Sequence, residues 1–528
     1  SFLPLINDFM ANFLDDNLNQ SVFLDINYLE VLGENTFEFC LYQLITHQLD
    51  LTEFTRRYKN KSVGRKAYPP ALLLRVIFYA YYRGITSSRA IERNCKTDLK
   101  FMALASGRTP HFTTIADFAS SHCDEIKDLF HKLLMICCKS GLVGKEHFAI
   151  DGCKLPSDAS KEWSGTHADL KKKSIKLRSS AERIVNNHLL NDSEKNDGDK
   201  KKELQTVDTL IKNANKIDEF LASNEKRMGV GRKKNEVQSN ITDNESTKMT
   251  TSKGTIQGYN CQTASDEKHQ IVVATHAVGI GQDQTALKPM IEEIKYQLGE
   301  SVLNTGALLT ADTGYSSEAN MEYVFGENIN AVIPDNNFRQ RDPKFSESET
   351  VKKHKAHRQK TRKDKSKGKL IFPSSDFTFN KEALVCICPN GHEMMYHGDH
   401  FVISHKRYYR FKSYLKNCRG CPLQTKCMKK PVNEHGRQVS FVVDHEKNTS
   451  YLDLMKQKID SVAGKKDYAK RMWTIEPVFG NITSNKGLNK LSLRGKAKVT
   501  CQWMMFCMVH NIEKLWRYGG TKYVERIA

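Results

Sequence analysis

The stretch that decides the reading is Phe148 to Ser160, "FAIDGCKLPSDAS". A short apolar run, Phe148-Ala149-Ile150, leads into Asp151 and Gly152, followed by a basic residue, a proline and small polar residues. An apolar run of this length reads as a strand, and two accounts of its end are open. Asp-Gly is common where a strand stops and the chain turns. Alternatively, Asp151 is a ligand held at the mouth of a sheet.

Working outward, "EHFAIDG" is the first of several alternating elements. "GTIQGYNCQTASDEKHQIVVATHAV" reads as a hairpin, with a polar Asp-Glu-Lys-His turn before a β-branched run. "DQTALKPMIEEIKYQLG" has helical apolar spacing, and Asp283 at its start reads as an N-cap. "GALLTADTGYSS" returns to a strand that again ends on an aspartate, Asp312, with Gly two residues later. "EANMEYVFGENINAVIPD" supplies another helix and strand. Strand, hairpin, helix, strand, helix, strand predicts an α/β core in which strand ends gather the active groups. "GYNCQTA", with Asn260 and Gln262, reads as a core hairpin lying near that site.

Upstream, residues 1–142 read as helical. "YPPALLLRVIFYAYYRG" starts on prolines and stops at Gly84. "TSSRAIERNCKTDLKFMALASG" and "TIADFASSHCDEIKDLFHKLLMICCKSG" each read as one further helix. Short helices joined by tight turns and carrying basic faces suit either a DNA reader or a plain helical bundle. "SFLPLINDFMANFL" is interrupted by Asn7 and Asp8 and lacks a basic leader, so it does not read as a secretory signal.

Composition bounds the function. A chain of 528 residues is too long for one compact core. Against 61 acidic residues stand 81 basic ones, a net charge of +20 that draws the protein to polyanions, nucleic acid foremost. The sequence shows no apolar run long enough for a membrane span. Fourteen cysteines without a short secreted framework point to a reducing cytoplasm.

Two segments interrupt the core pattern. Residues 165–250 are rich in Lys and Glu and read as a helical arm with a break at "NDSEKNDGDKKK". Residues 338–464 read as a β-rich insertion that opens on a basic loop, "KKHKAHRQKTRKDKSKGK", fit to clamp backbone phosphates. "CICPNGHEM" and "NCRGCPLQTKC" then bring Cys388, Cys418, Cys421 and Cys427, a set with the spacing of a tetrahedral Zn²⁺ site. Cys386 and His392 are substitutes, and the competing account is reduced thiols packed as small hydrophobes.

A third acidic residue, Glu476, lies in "KRMWTIEPVFGNITSNKGLNKLSLRGKAKVT". Carboxylates from two strand ends and a helix are what two-metal phosphoryl chemistry needs, with oxygen ligands that suit Mg²⁺ or Mn²⁺. "FAIDGCKLPSDASKEWSGT", "LLTADTGYSSEAN" and "IEPVFGNI…LRGKAKV…HNIEKLW" together resemble the three catalytic blocks of bacterial insertion-sequence DDE transposases. The resemblance extends to "YPPALLLRVIFYAYYRGITSSRAIE", which is similar to that family's N-terminal helical region.

The resemblance implies a ribonuclease H-like catalytic core over 143–337 and 465–520, a DNA-binding helical domain over 1–142, and Asp151, Asp312 and Glu476 as metal ligands. It implies cleavage and strand transfer on double-stranded DNA at terminal inverted repeats, a homodimer in the synaptic complex, and a cytoplasmic, nucleoid-associated setting. Lys154, Arg471, Lys486, Lys490 and Arg494 are the expected DNA contacts. The last block departs from the family pattern: Arg471 stands one residue too far from Glu476, and Thr483 occupies the place of a usual Lys. A two-metal nuclease without strand transfer and a non-catalytic DNA-binding descendant are the rival readings.

Overall fold

The computed structural model describes residues 25–58, 66–190, 197–229, 235–252, 254–349, 371–403, 406–428, 432, 434–443 and 450–519. The stretch read against a secretory signal, the quoted basic loop of the insertion and the first half of the expected break at 191–202 lie outside these residues.

The N-terminal part is helical: α1 (Pro70–Tyr82), α2 (Ser88–Thr97), α3 (Phe112–Ser121) and α4 (Cys123–Lys139), with shorter helices before α1 and one between α2 and α3. Pro70 opens α1, and Gly84 closes its turn at φ +74°, a conformation that costs glycine little. Two expected long helices are each broken. Asp98 ends α2 and accepts hydrogen bonds from the Lys100 and Phe101 amides to start a new helix at Leu99. His122 separates α3 from α4, its ring packed on Phe118 and Phe54. The apolar spacing continues through both breaks, which is why it reads as unbroken.

The central sheet is mixed. Its strands are β1 (His147–Pro156), β2 (Thr247–Thr251), β3 (Gly254–Asp266), β4 (Val272–Val278), β5 (Leu308–Ala311) and β6 (Ala331–Val332). The core order is β4-β3-β1-β5-β6, with β2 continuing the β4 edge of the long strand β3. β1 runs antiparallel to β3 and parallel to β5, and β5 is parallel to β6. Between β1 and β2 stand α5 (His167–Leu190) and α6 (Asp197–Ser223), packed side by side and tied by Arg178 and Ser174 to Asp218.

Three further helices belong to the layer: α7 (Leu287–Leu298) after β4, α8 (Glu318–Gly326) after β5, and α9 (Tyr451–Asp460). α10 (Val462–Gly480) lies across β1, β3, β5 and β6, and α11 (Lys496–Tyr518) lies against β4, α1 and α4. α11 is buried nearly all round from Val499 to Ile512, the pattern of a helix inside a core. Phe506 stacks on Tyr81 at 4.3 Å on one side. On the other, Asn511 brackets the Val272 backbone and Trp503 Nε1 donates to the Gln262 carbonyl. One hydrophobic cluster therefore runs from α1 through α11 to the sheet.

A second sheet interrupts the chain between β6 and α9. Its strands are β7 (Thr378–Asn380), β8 (Val385–Ile387), β9 (Glu393–Tyr396), β10 (Phe401–Ile403), β11 (Lys406–Lys412) and β12 (Gln438–Val442), all antiparallel. Its core is small: Phe377, Cys386, Met394, Phe411 and Val439.

Candidate active site

β1 does not stop at Asp151. Its parallel pairing with β5 ends at Ile150 opposite Ala311, but its antiparallel pairing with β3 continues to Pro156 opposite Gly258. The thirteen-residue β3 holds β1 extended on one side after β5 has left the other. The turn account of Asp-Gly is thus overturned, and Asp151 sits mid-strand where a crevice opens. Asp312 directly follows β5, so both carboxylates stand at that crevice.

α10 faces them. Its Tyr468 and Arg471 are one turn apart and point at the sheet; the Thr474 carbonyl accepts from Ser265 Oγ at 2.9 Å and pins the helix to β3. Arg471 Nη2 lies 2.5 Å from Asp151 Oδ2, and its Nη1 lies 3.9 Å from Glu476 Oε1. Tyr468 donates to Asp312 Oδ1 at 3.3 Å. Asp151 from mid-strand and Glu476 from the helix thus flank the guanidinium, and Asp312 acts on it at longer range. Burial pushes Asp151 up to about 6 against the pull of Arg471, with Asp312 and Asp283 adding like-charge repulsion. Glu476 is far more exposed, at 58% of its side chain. Oxygen donors of this kind suit a hard divalent cation, but as placed, with Arg471 against Asp151 and Glu476, the three carboxylates do not stand close enough to grip one ion together.

Asp283 was not legible as part of this site. Gln282 occupies the cap position and makes no side-chain cap, and Asp283 caps nothing. Its Oδ1 instead accepts from Asn260 Nδ2 at 2.6 Å and from Gln262 Nε2 at 3.0 Å. Gln262 Oε1 accepts in turn from the Tyr315 hydroxyl, and Asn260, Gln262 and Tyr315 are fully buried. The available signal was the pair Asn260 and Gln262, polar side chains two apart in a buried strand, which demand a partner.

The basic residues scatter. Lys154 is half-buried on β1, opposite Asn260. Lys490 and Arg494 are more than half exposed and both grip Asp158, at 2.9 and 2.8 Å. Lys486 is 2% exposed and sealed against Glu513, with Asn481 beside it, so it does not reach the surface as expected of a phosphate contact. Thr483 turns its hydroxyl back onto the Phe479 carbonyl at 2.7 Å.

In the second sheet, Cys388, Cys418, Cys421 and Cys427 line one small cavity with Pro389 and Arg437. Two turns present them: Gly391 at φ +79° donates to the Cys388 carbonyl, and Gly420 at φ +74° lies between Cys418 and Cys421. Cys386 points away into the core against Met394. Among the described residues, no three or more His, Cys, Asp or Glu side chains stand close enough as placed to grip an ion together.

No described helix is long and apolar enough to cross a membrane. Comparison with curated proteins and with solved structures gives no significant match. Two family models do match: a transposase domain (DUF772) over residues 31–121, and a transposase DDE domain over residues 387–516. The second spans the four cysteines, Arg471, Glu476 and Lys486, but neither Asp151 nor Asp312. With one match on the N-terminal helices and the other running through α10 and α11, the two family matches indicate an insertion-sequence DDE transposase.

Proposed function

We propose that this transposase cuts the ends of its element and joins them to target DNA, using Asp151, Asp312 and Glu476 to hold divalent Mg²⁺ or Mn²⁺. The observation that carries this reading is the gathering of these carboxylates where β1 leaves β5, Asp151 and Glu476 on Arg471 and Asp312 on the neighbouring Tyr468. The strand order β4-β3-β1-β5-β6, antiparallel then parallel, with α10 laid across it, supports a ribonuclease H-like core. We divide the chain accordingly into a helical DNA-binding part over 1–142, a core over 143–337 and 465–520, and an insertion over 338–464.

When bound, the cations supply activation of the attacking oxygen, water first and then a freed 3′-hydroxyl, and charge neutralisation at the leaving oxygen. The chain does the rest by positioning. Tyr468 fixes Asp312 through its hydroxyl, and Arg471 balances the cluster's charge. Lys154, Lys490 and Arg494 offer cations to backbone phosphates, so DNA binding weakens with salt. Joining two ends calls for a homodimer on DNA. Cys388, Cys418, Cys421 and Cys427, which line one cavity, would hold a structural Zn²⁺ that cross-links the small sheet.

The test is a labelled duplex carrying the element's own ends, with Mg²⁺ or Mn²⁺. Boundary cleavage and joined products from the parent, lost in Asp151→Asn and Asp312→Asn, are expected. Cleavage without joined products means a nuclease. The burial of Lys486, with Thr483 bonded inward, favours one rival, a non-catalytic DNA-binding descendant. Tight binding without cleavage in either metal establishes that rival.

A further inference from the structure

The two aspartates approach the crevice on separate strands, and something must fix the distance between them. Beneath both lies Asp283. A Cβ on Gly152, next to Asp151, would come within 2.3 Å of Gln262 Nε2, 2.5 Å of Asn260 Oδ1 and 3.0 Å of Asp283 Oδ1. A Cβ on Gly314, two residues after Asp312, would come within 2.8 Å of Asp283 Oδ2. One carboxylate therefore fills the space left by both glycines. Asp283 cannot swing aside cheaply, because Asn260 and Gln262 hold its Oδ1.

The hold closes into a ring. Gln262 also accepts from Tyr315 in the loop that carries Asp312. Asn320 Nδ2 donates to the Tyr315 carbonyl at 2.7 Å and to the Gln284 carbonyl at 2.8 Å, and so returns to the residue beside Asp283. Gln262 itself pairs across the sheet with Gly152. The links described between the Asp151 strand and the Asp312 loop on this side of the sheet pass through the fully buried Asn260, Gln262 and Tyr315 to the partly buried Asp283.

We propose that Asp283 is a positioning residue, a wedge locked by Asn260 and Gln262 that sets the spacing of Asp151 and Asp312 and thereby their joint grip on a divalent cation. The proposal rests on the reading of those two aspartates as metal ligands. It assigns Asp283 a role through shape and hydrogen bonding, since its Oδ1 is fully engaged by two donors and its Oδ2 faces Gly314. Outer partners of metal ligands commonly govern affinity by about 10- to 100-fold.

The test is Mn²⁺ binding to the full chain by titration calorimetry, without DNA, with melting curves confirming that each variant folds. Asp151→Asn serves as the control for the site. The wedge predicts that Asp283→Ala, Gln262→Ala and Gly314→Ala each weaken Mn²⁺ by about tenfold or more. It predicts that the isosteric Asp283→Asn, whose Oδ1 still accepts both hydrogen bonds, stays within about threefold of the parent. Asp283→Asn falling as far as Asp283→Ala overturns the proposal, because charge and not shape is then what Asp283 supplies. Parent-like binding by Asp283→Ala and Gly314→Ala overturns it too. Should Asp283→Ala fail to fold, Gly314→Ala and Asp283→Asn decide between the same outcomes. A parent that shows no Mn²⁺ binding sensitive to Asp151→Asn removes the metal reading itself, a result distinct from failure of the wedge.

Discussion

The two sheets of this chain are held together by different means. The central sheet has helices on both faces, and its middle strands bury polar side chains that find partners: Tyr259 with Asp243, Gln262 with Tyr315, Asn260 with Asp283. It is thick enough to shelter a charged site. The second sheet has strands of three to seven residues around five buried side chains, with aromatic contacts such as Phe379 on Phe441 at 4.5 Å. A core that small supplies little against the entropy of ordering its chain. The comparison teaches where each kind of cross-link belongs: hydrogen-bonded networks in the large layer and, on the proposal above, a metal at the four cysteines of the small one.

The harshest way to break the comparison is to remove the cross-link from the small sheet. Structural zinc is worth on the order of 10 kcal/mol to a small domain. Chelation, or Cys418→Ser with Cys421→Ser, should therefore unfold residues 371–443 while the central sheet stays folded. Hydrogen exchange across both sheets and metal analysis of the parent check this; equal protection with and without chelator would leave only packed thiols. Next comes Trp503→Ala in the large layer, where a fully buried indole that donates to Gln262 is lost. About 3–5 kcal/mol of destabilisation is expected. A melting curve should show the central transition falling and that of the second sheet unmoved.

A smaller effect separates charge from packing at the site. Asp151 is pushed up to about 6, so on the proposed metal reading protons compete with the cation for it below that pH. Mn²⁺ affinity should fall by about tenfold per pH unit below it, as protons compete for the carboxylate. The metal-free protein should behave oppositely. Its folded state holds the Asp151 proton more tightly than the unfolded chain, so this contribution to stability is present below about 4 and lost as pH rises through about 6. Calorimetric titrations and melts across that window read both signs. The smallest change is Lys490→Ala or Arg494→Ala. These exposed pairs with Asp158 are worth under about 1 kcal/mol to stability. If they meet DNA, each substitution should lower the salt slope of binding by about 1.

What the sequence disclosed follows the range of the forces involved. Asp151, Asp312 and Glu476 each sit in a local string whose apolar run, glycine or helix is visible on its own, and the hairpin from Gly254 to Val278 is legible from its alternation. The course of β1 beyond Asp151 was hidden, because Gly152 and Pro156 look like stops while the partner that keeps it extended lies about a hundred residues downstream. Asp283 was hidden for a related reason. An aspartate before a helix has a local explanation, and only the folded hairpin reveals that two buried amides require it. Lys486 read as a DNA contact because a lysine five residues from an asparagine gives no hint of Glu513 on another helix.

The contact between Arg471 and Asp151 joins positions 320 residues apart. Loop closure costs grow only with the logarithm of length, so at equilibrium the chain tolerates the intervening insertions well. In time the bargain is worse. Until Val462–Gly480 arrives, the sheet lies with one face bare, and contacts of such long range form slowly. A growing or truncated chain therefore exposes an apolar surface and unneutralised carboxylates together, which makes shortened forms of this protein candidates for aggregation and chaperone capture.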